Sequence, residues 1–356
     1  MRTDIDILLR TLVIKKASDL HLQVGSPPIF RVNGDLTFSD LEPLSLQDVE
    51  KYVYSVMTEN QKKEFDTTHH LDLSYSVPGI ARFRVNVYRQ RGLLGAAMRF
   101  IPFEIPTMDE LGLPPIVKEL AAKPHGLILV TGPSGCGKST TLAAIVSYIN
   151  TQKKGHIITI EDPIEFIHQN NLCLINQREV GVDTDSFAGA LRDALREDPN
   201  IILVGEMRDL ETISNAITAA ETGHLTFATL HTPDASQAVD RIIDVFPLYQ
   251  QSQIRIQLAA SLRGVIAQTL LRRKDGSGRV AAFEVMEVNS AIGDLIKEGK
   301  THQIYSAIQT GSQEGMQLLE HSLKALYQNG IVSLEEAMSK ARDPRAFEKE
   351  SKNAAE

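Results

Sequence analysis

Ile5, Leu8, Leu9 and Leu12 recur at the spacing of one helical face, which predicts an amphipathic helix at the start of the chain. From Leu20 to Leu36 the pattern changes to short alternating runs around Pro27-Pro28 and Asn33-Gly34, as expected of strands joined by turns. Ser45 with Asp48 signals a helix running through about Lys62. In Ala81 to Tyr88, Phe83, Val85 and Val87 fall on one face and Arg82, Arg84, Asn86 and Tyr88 on the other, the period of two that a half-buried strand requires. Leu94 to Ile101 is a second strand candidate, apolar except for Arg99. These mixed signals describe a small α+β module.

Four prolines between Pro102 and Pro115, with a Thr107/Glu110 helix-start signal, mark a linker or domain edge. Beyond Gly126 the strands become almost wholly apolar and each precedes a helical stretch: Leu127 to Thr131, Ile157 to Ile160, Ile201 to Val204 and Leu225 to Leu230. That alternation predicts a parallel sheet covered on both faces. Met316, Leu319, Leu323 and Leu326, then Gly330 and a Ser333/Glu336 capping box, predict a terminal helical pair before a charged end after Asp343.

A chain of 356 residues exceeds the usual span of one core, so two domains are expected. With 42% hydrophobic and 23% charged residues it has the make-up of a folded soluble protein. Lys plus Arg number 37 against 45 Asp plus Glu, and a net charge of -8 disfavours a general nucleic-acid binder. Two cysteines, Cys136 and Cys173, are too few for a disulfide framework or a four-cysteine zinc site and suit a reducing cytoplasm. The amino-terminal segment lacks the uninterrupted apolar stretch of a signal peptide, and no apolar run approaches the ~20 residues of a membrane helix. Work at a membrane would therefore need docking onto something already there.

Gly132-Pro133-Ser134-Gly135-Cys136-Gly137-Lys138-Ser139 fits G-x-x-x-x-G-K-S between an apolar strand and a helix, the context a phosphate-binding P-loop needs. Backbone N–H groups of Gly132, Ser134, Gly135, Cys136, Gly137 and Thr140 are expected around the nucleotide phosphates, with Lys138 on the outer phosphates and Ser139 on Mg2+. Cys136, among these N–H groups near a helix start, is expected to have a stabilised thiolate, while Cys173 reads as a core residue. Glu206 follows the strand Ile201 to Val204 and can reach the metal or its water. Glu161, Asp162 and Glu165 follow another strand; Glu165 is the expected catalytic base, and Glu161 or Asp162 serves either catalysis or the turn at Pro163. His231, at the carboxyl end of its strand, is expected to sense the γ-phosphate, and His224 is a second candidate with packing or a hinge as its alternative.

GPSGCGKST at 132, ITIEDPIEF at 158, ILVGEMRD at 202 and GHLTFATLHT at 223 together resemble the four motifs of the secretion-type hexameric ATPases, especially the pilus-retraction, twitching-motility branch. ARFRVNVYRQRG in the first domain and KEGKTHQIYSAIQTG near the end extend the likeness over nearly the whole chain. The resemblance implies an α/β chain: a smaller α+β PAS-like domain over 1–102, a linker over 103–115, and a RecA-like P-loop ATPase domain with a helical end over 116–356. It implies ATP and Mg2+, a homohexamer docked on an inner-membrane pilus platform protein, and a cytoplasmic location at that membrane. Matching residues are Glu165 as catalytic glutamate, Glu206 as the second acidic motif, His224 and His231 as the histidine pair, and Arg84 and Arg99 as phosphate-reaching arginines. Two departures are Cys136 in the P-loop and AIGDLIKE at 291, which differs at its third and fourth residues from the retraction pattern. The lack of a cysteine-rich insert speaks against the assembly and type II relatives; a non-motor P-loop module is the alternative from another class.

Overall fold

The computed structural model describes residues 4–32, 34–101, 104–345, 347 and 349. Asn33 of the expected turn, Pro102 at the expected domain edge, Phe103, and most of the charged end after Asp343 lie outside the described residues. The chain divides into two compact units: Met1–Glu104 with Pro163–Ile167, and Ile105–Asp162 with His168–Glu356.

The first unit runs α1 (Ile5–Ile14), β1 (Asp19–Gln23), β2 (Ile29–Val32), β3 (Asp35–Phe38), α2 (Leu46–Ser55), α3 (Glu59–Thr68), β4 (His70–Val77), β5 (Ala81–Gln90) and β6 (Leu93–Ile101). Ile5, Leu8, Leu9 and Leu12 are buried, as their helical spacing predicts. The helix expected from Ser45 to Lys62 is two helices. Thr58 begins a second capping box, its N–H donating to Gln61 Oε1 at 2.9 Å while its Oγ1 accepts from the Gln61 N–H at 3.3 Å. Among the described residues the strands form a six-stranded antiparallel sheet in the order β3-β2-β1-β6-β5-β4. Phe83, Val85 and Val87 are buried in its core.

The second unit runs α4 (Ile116–Ala122), β7 (Gly126–Thr131), α5 (Lys138–Gln152), β8 (Gly155–Glu161), β9 (Cys173–Glu179), α6 (Phe187–Ala194), β10 (Ile201–Val204) and α7 (Leu210–Glu221). It continues with β11 (Leu225–Leu230), α8 (Ala235–Asp244), α9 (Leu248–Ser261), β12 (Leu262–Arg272), β13 (Arg279–Glu287), α10 (Ser290–Lys297), α11 (Ile304–Thr310), α12 (Leu319–Gln328) and α13 (Leu334–Met338). Among the described residues its sheet has seven strands in the order β13-β12-β7-β11-β10-β8-β9. All neighbours are parallel except β13, which adds an antiparallel edge to the expected parallel sheet. Every residue of β7, β10 and β11 is buried, which is why these segments carry almost no polar side chains. Parallel order puts the carboxyl ends of β7, β11, β10 and β8 side by side, so the residues after these strands share one edge. No helix among the described residues is long and apolar enough to cross a membrane.

Behind that edge, Glu284 of β13 is buried, and its Oε1 accepts the Ala235 N–H at 2.9 Å, fastening the start of α8. Burial pushes its carboxyl up to about 7. A carboxyl whose folded value is raised contributes stability that is full below the unfolded value of 4.5 and lost as pH rises through about 7, here on the order of 3 kcal/mol. Glu284→Gln keeps the acceptor and removes the titration. Thermal unfolding from pH 4 to 8 is expected to lose stability in the wild type relative to this variant as pH rises; parallel curves would refute it.

Candidate nucleotide site

The P-loop joins the end of β7 to the start of α5, so its backbone lies at the amino end of a 15-residue helix whose dipole favours an anion. Gly132 has φ 144°, and a Cβ there would lie 2.3 Å from the Gln268 carbonyl oxygen of β12, so only glycine lets the loop press this closely on the neighbouring strand. Thr131 ties the loop to the segment after β11, donating its hydroxyl to the Thr232 carbonyl at 2.6 Å. Lys138 is 9% exposed, and its ammonium donates to the Gly132 carbonyl at 2.8 Å and the Pro133 carbonyl at 3.2 Å.

Lys138 Nζ also approaches His231 Nδ1 to 3.5 Å, and His231 Nε2 stands 2.8 Å from Glu206 Oε1. Facing an ammonium at Nδ1 and a carboxylate at Nε2, the imidazole accepts at the first and donates from the second, which fixes its tautomer. Arg208 Nε meets the same Glu206 oxygen at 2.5 Å. Burial alone would raise the Glu206 carboxyl, but the hydrogen bond and charge of Arg208, with the hydrogen bond from His231, outweigh it and hold the group below the usual range. Glu206 is therefore a carboxylate wired through His231 to the P-loop lysine. A cavity of about 330 Å³ opens beside it, lined by Glu206, Arg208, His231, Thr232 and Arg241 among others.

The other expected residues are distributed differently. His224 precedes β11, at the opposite end of that strand from His231; its Nδ1 lies 3.0 Å from the Ala219 carbonyl at the end of α7, and the structure does not bring it to the phosphate edge. Glu161 accepts from Thr159 Oγ1 of its own strand at 2.7 Å and from Gln177 Nε2 at 3.2 Å, the latter a bond between β8 and β9, while Asp162 is exposed. Glu165 is half-buried in Pro163–Ile167, the segment that groups with the first unit. Arg84 and Arg99 face each other as register partners on β5 and β6. Like charges directly opposed are unfavourable, and the pair is balanced by Asp72, 3.7 Å from Arg84 Nε, and Asp19, 2.8 Å from Arg99 Nε.

The expectation for Cys136 is overturned. The thiol is 3% exposed, tucked beneath Gly132, and burial pushes it up despite the nearby Lys138 charge. A buried, protonated thiol is a poor nucleophile, and Cys136 serves as a small residue under the loop.

The model of the type II/IV secretion system proteins matches residues 107–339. The chain belongs to this secretion family. It is 52% identical over 344 residues to the type IV pilus retractation ATPase PilT of Pseudomonas aeruginosa, spanning 97% of this chain and 100% of that one. A twitching motility protein of Neisseria gonorrhoeae is 47% identical over 96% of this chain and 91% of its own length. The crystal structure of the pilus retraction motor PilT with bound ADP superposes with a TM-score of 0.91 at 48% identity, covering 98% of this chain and 99% of the other. The Legionella pneumophila ATPase DotB follows at 0.83 and 29%, covering 95% of each chain. Like these members of the secretion family, the chain is an α/β protein and an ATPase.

Two residues of this secretion-family site escape motif reading. Arg208, in GEMRD, could have been picked out two residues after Glu206. Gln268 carries no motif; its only sequence signal is a carboxamide inside the run Val265 to Leu271, which apart from its neighbour Thr269 is otherwise apolar.

Proposed function

We propose that the chain is a motor subunit that couples ATP hydrolysis to retraction of a type IV pilus. The observation that carries this reading is the row Lys138, His231 and Glu206, which links a P-loop to an ionised carboxylate on the neighbouring strand ends. The printed roles of its relatives, a pilus retractation ATPase and a twitching motility protein, supply the direction of work. On this reading the second unit is RecA-like and the first PAS-like. Six copies form a ring in the cytoplasm, docked on a platform protein of the inner membrane.

The P-loop N–H groups hold the phosphates, and Lys138 turns its ammonium to them. Among the described residues no cluster of three His, Cys, Asp or Glu could hold a metal, but magnesium keeps several waters and takes one or two protein oxygens beside phosphate, a demand that Ser139 and Glu206 fit. Ser139 and Glu206 would hold Mg2+, which would supply charge neutralisation at the phosphates when bound. His231 relays the state of the phosphates between Lys138 and Glu206, and Glu165 accepts the proton of the attacking water. His224, at the far end of β11, acts in packing or as a hinge.

Deletion in a piliated host tests the reading: surface pili accumulating without twitching supports retraction, and loss of pili overturns it in favour of assembly. A second test concerns the first unit. Arg84→Ala, Arg99→Ala and Glu165→Gln are each expected to cut phosphate release, the arginines by about 10³-fold, while an exposed salt bridge would be worth only ~0 to 1 kcal/mol. Near-normal turnover in a variant with intact unfolding temperature would remove that residue from the cycle.

A further inference from the structure

Gln268 is 3% exposed on β12, and two parts of it touch the P-loop. Its backbone oxygen lies against Gly132 at the loop's beginning, where no Cβ fits. Its side-chain Nε2 donates to the Cys136 carbonyl at 2.7 Å near the loop's end, and a Cβ on Gly137 would come within 3.3 Å of the same nitrogen. Only the –NH2 side of the carboxamide can face a carbonyl, so the amide has one orientation. The other side, Oε1, is buried and has no hydrogen-bond partner among the described residues. A side chain serving the fold alone would gain by being apolar here, because a half-satisfied buried amide costs stability.

The bond to Cys136 fixes more than one atom. In a trans peptide the C=O of Cys136 and the N–H of Gly137 point in opposite directions. Holding that carbonyl toward β12 turns the Gly137 N–H away from the strand, toward the side on which a P-loop binds phosphate. Gly137 has φ 93°, and flipping the preceding peptide would carry φ to a negative value that glycine adopts as readily, so the local backbone does not secure this arrangement by itself.

We infer that Gln268 is a positioning residue of the nucleotide site, clamping the Cys136–Gly137 peptide so that the Gly137 N–H is presented to a nucleotide phosphate. The inference rests on the reading of Gly132 to Ser139 as the phosphate cradle. Gln268→Met preserves length and volume without the donor. Gln268→Glu restores a donor only when its carboxyl is protonated.

The experiment titrates a fluorescent ADP, N-methylanthraniloyl-ADP, against the wild-type chain, Lys138→Ala, Gln268→Met and Gln268→Glu, with unfolding temperatures measured without nucleotide. Gln268→Met is expected to lose about tenfold in affinity with its unfolding temperature unchanged or higher. Gln268→Glu is expected to regain affinity relative to wild type as pH falls from about 8 to about 5, a response a packing defect would not give. Wild-type affinity in Gln268→Met, with binding lost in Lys138→Ala, overturns the clamp and leaves the phosphate cradle standing. Wild-type affinity in Lys138→Ala overturns the cradle itself and the clamp with it. Should Gln268→Met fail to fold, absence of the pH-dependent recovery in Gln268→Glu overturns the clamp.

Discussion

Lys138→Ala is expected to abolish ATP turnover, lowering phosphate release by at least about 10³-fold. The ammonium is 9% exposed and meets the Gly132 and Pro133 carbonyls and His231, so it works where water is scarce and its charge is poorly screened. The substitution removes a side-chain cation held against the loop and disconnects His231 from it. It leaves two neutral carbonyls at a partly open loop, a minor loss to the fold. Unfolding temperature should therefore stay close to wild type while nucleotide binding weakens. Turnover within tenfold of wild type would show that the P-loop lysine is not what stabilises the transferring phosphate.

Glu206→Gln is expected to retain nucleotide binding and to slow hydrolysis by about 10²- to 10⁴-fold. The amide is nearly isosteric and keeps an oxygen toward Arg208 and His231, so geometry survives while the negative charge does not. The His231 N–H then loses a charged acceptor, and Arg208 stands beside a neutral group. ADP titration and phosphate release on the same sample separate binding from chemistry. A wild-type rate from this variant would remove Glu206 from the chemical step.

The strands that carry the site were legible because β7, β8, β10 and β11 are buried on both faces and spell continuous apolar runs. Strand direction then puts Gly132, His231 and Glu206 at one edge. It also puts His224 at the other, a consequence of chain polarity that the sequence already contained. The opposition of Arg84 and Arg99 was countable too, since the two-residue turn Arg91-Gly92, with φ 52° and 77°, fixes the hairpin register. The split of α2 from α3 was written in Thr58 and Gln61 but lay inside a plausible longer helix. β12 was harder to read. Its residues Leu262 to Ala267 pair with Leu127 to Thr131, more than a hundred positions earlier, and a pairing of that range leaves no local pattern. For the same reason nothing near Gln268 pointed to Cys136, and nothing near Cys136 disclosed how deeply its thiol is buried.

The two carbonyl bonds of Lys138 bear on the speed of a working cycle. On the proposed reading, entering phosphates would take the ammonium from the Gly132 and Pro133 oxygens, one set of hydrogen bonds replacing another, so that only the difference in strength favours the bound state. When product leaves, the same oxygens take the ammonium back, and no buried cation is stranded during dissociation. The loop thus carries its own exchangeable ligand. Such an arrangement gives up some affinity in return for a low barrier to release, the property a machine needs when it must empty its site before every stroke.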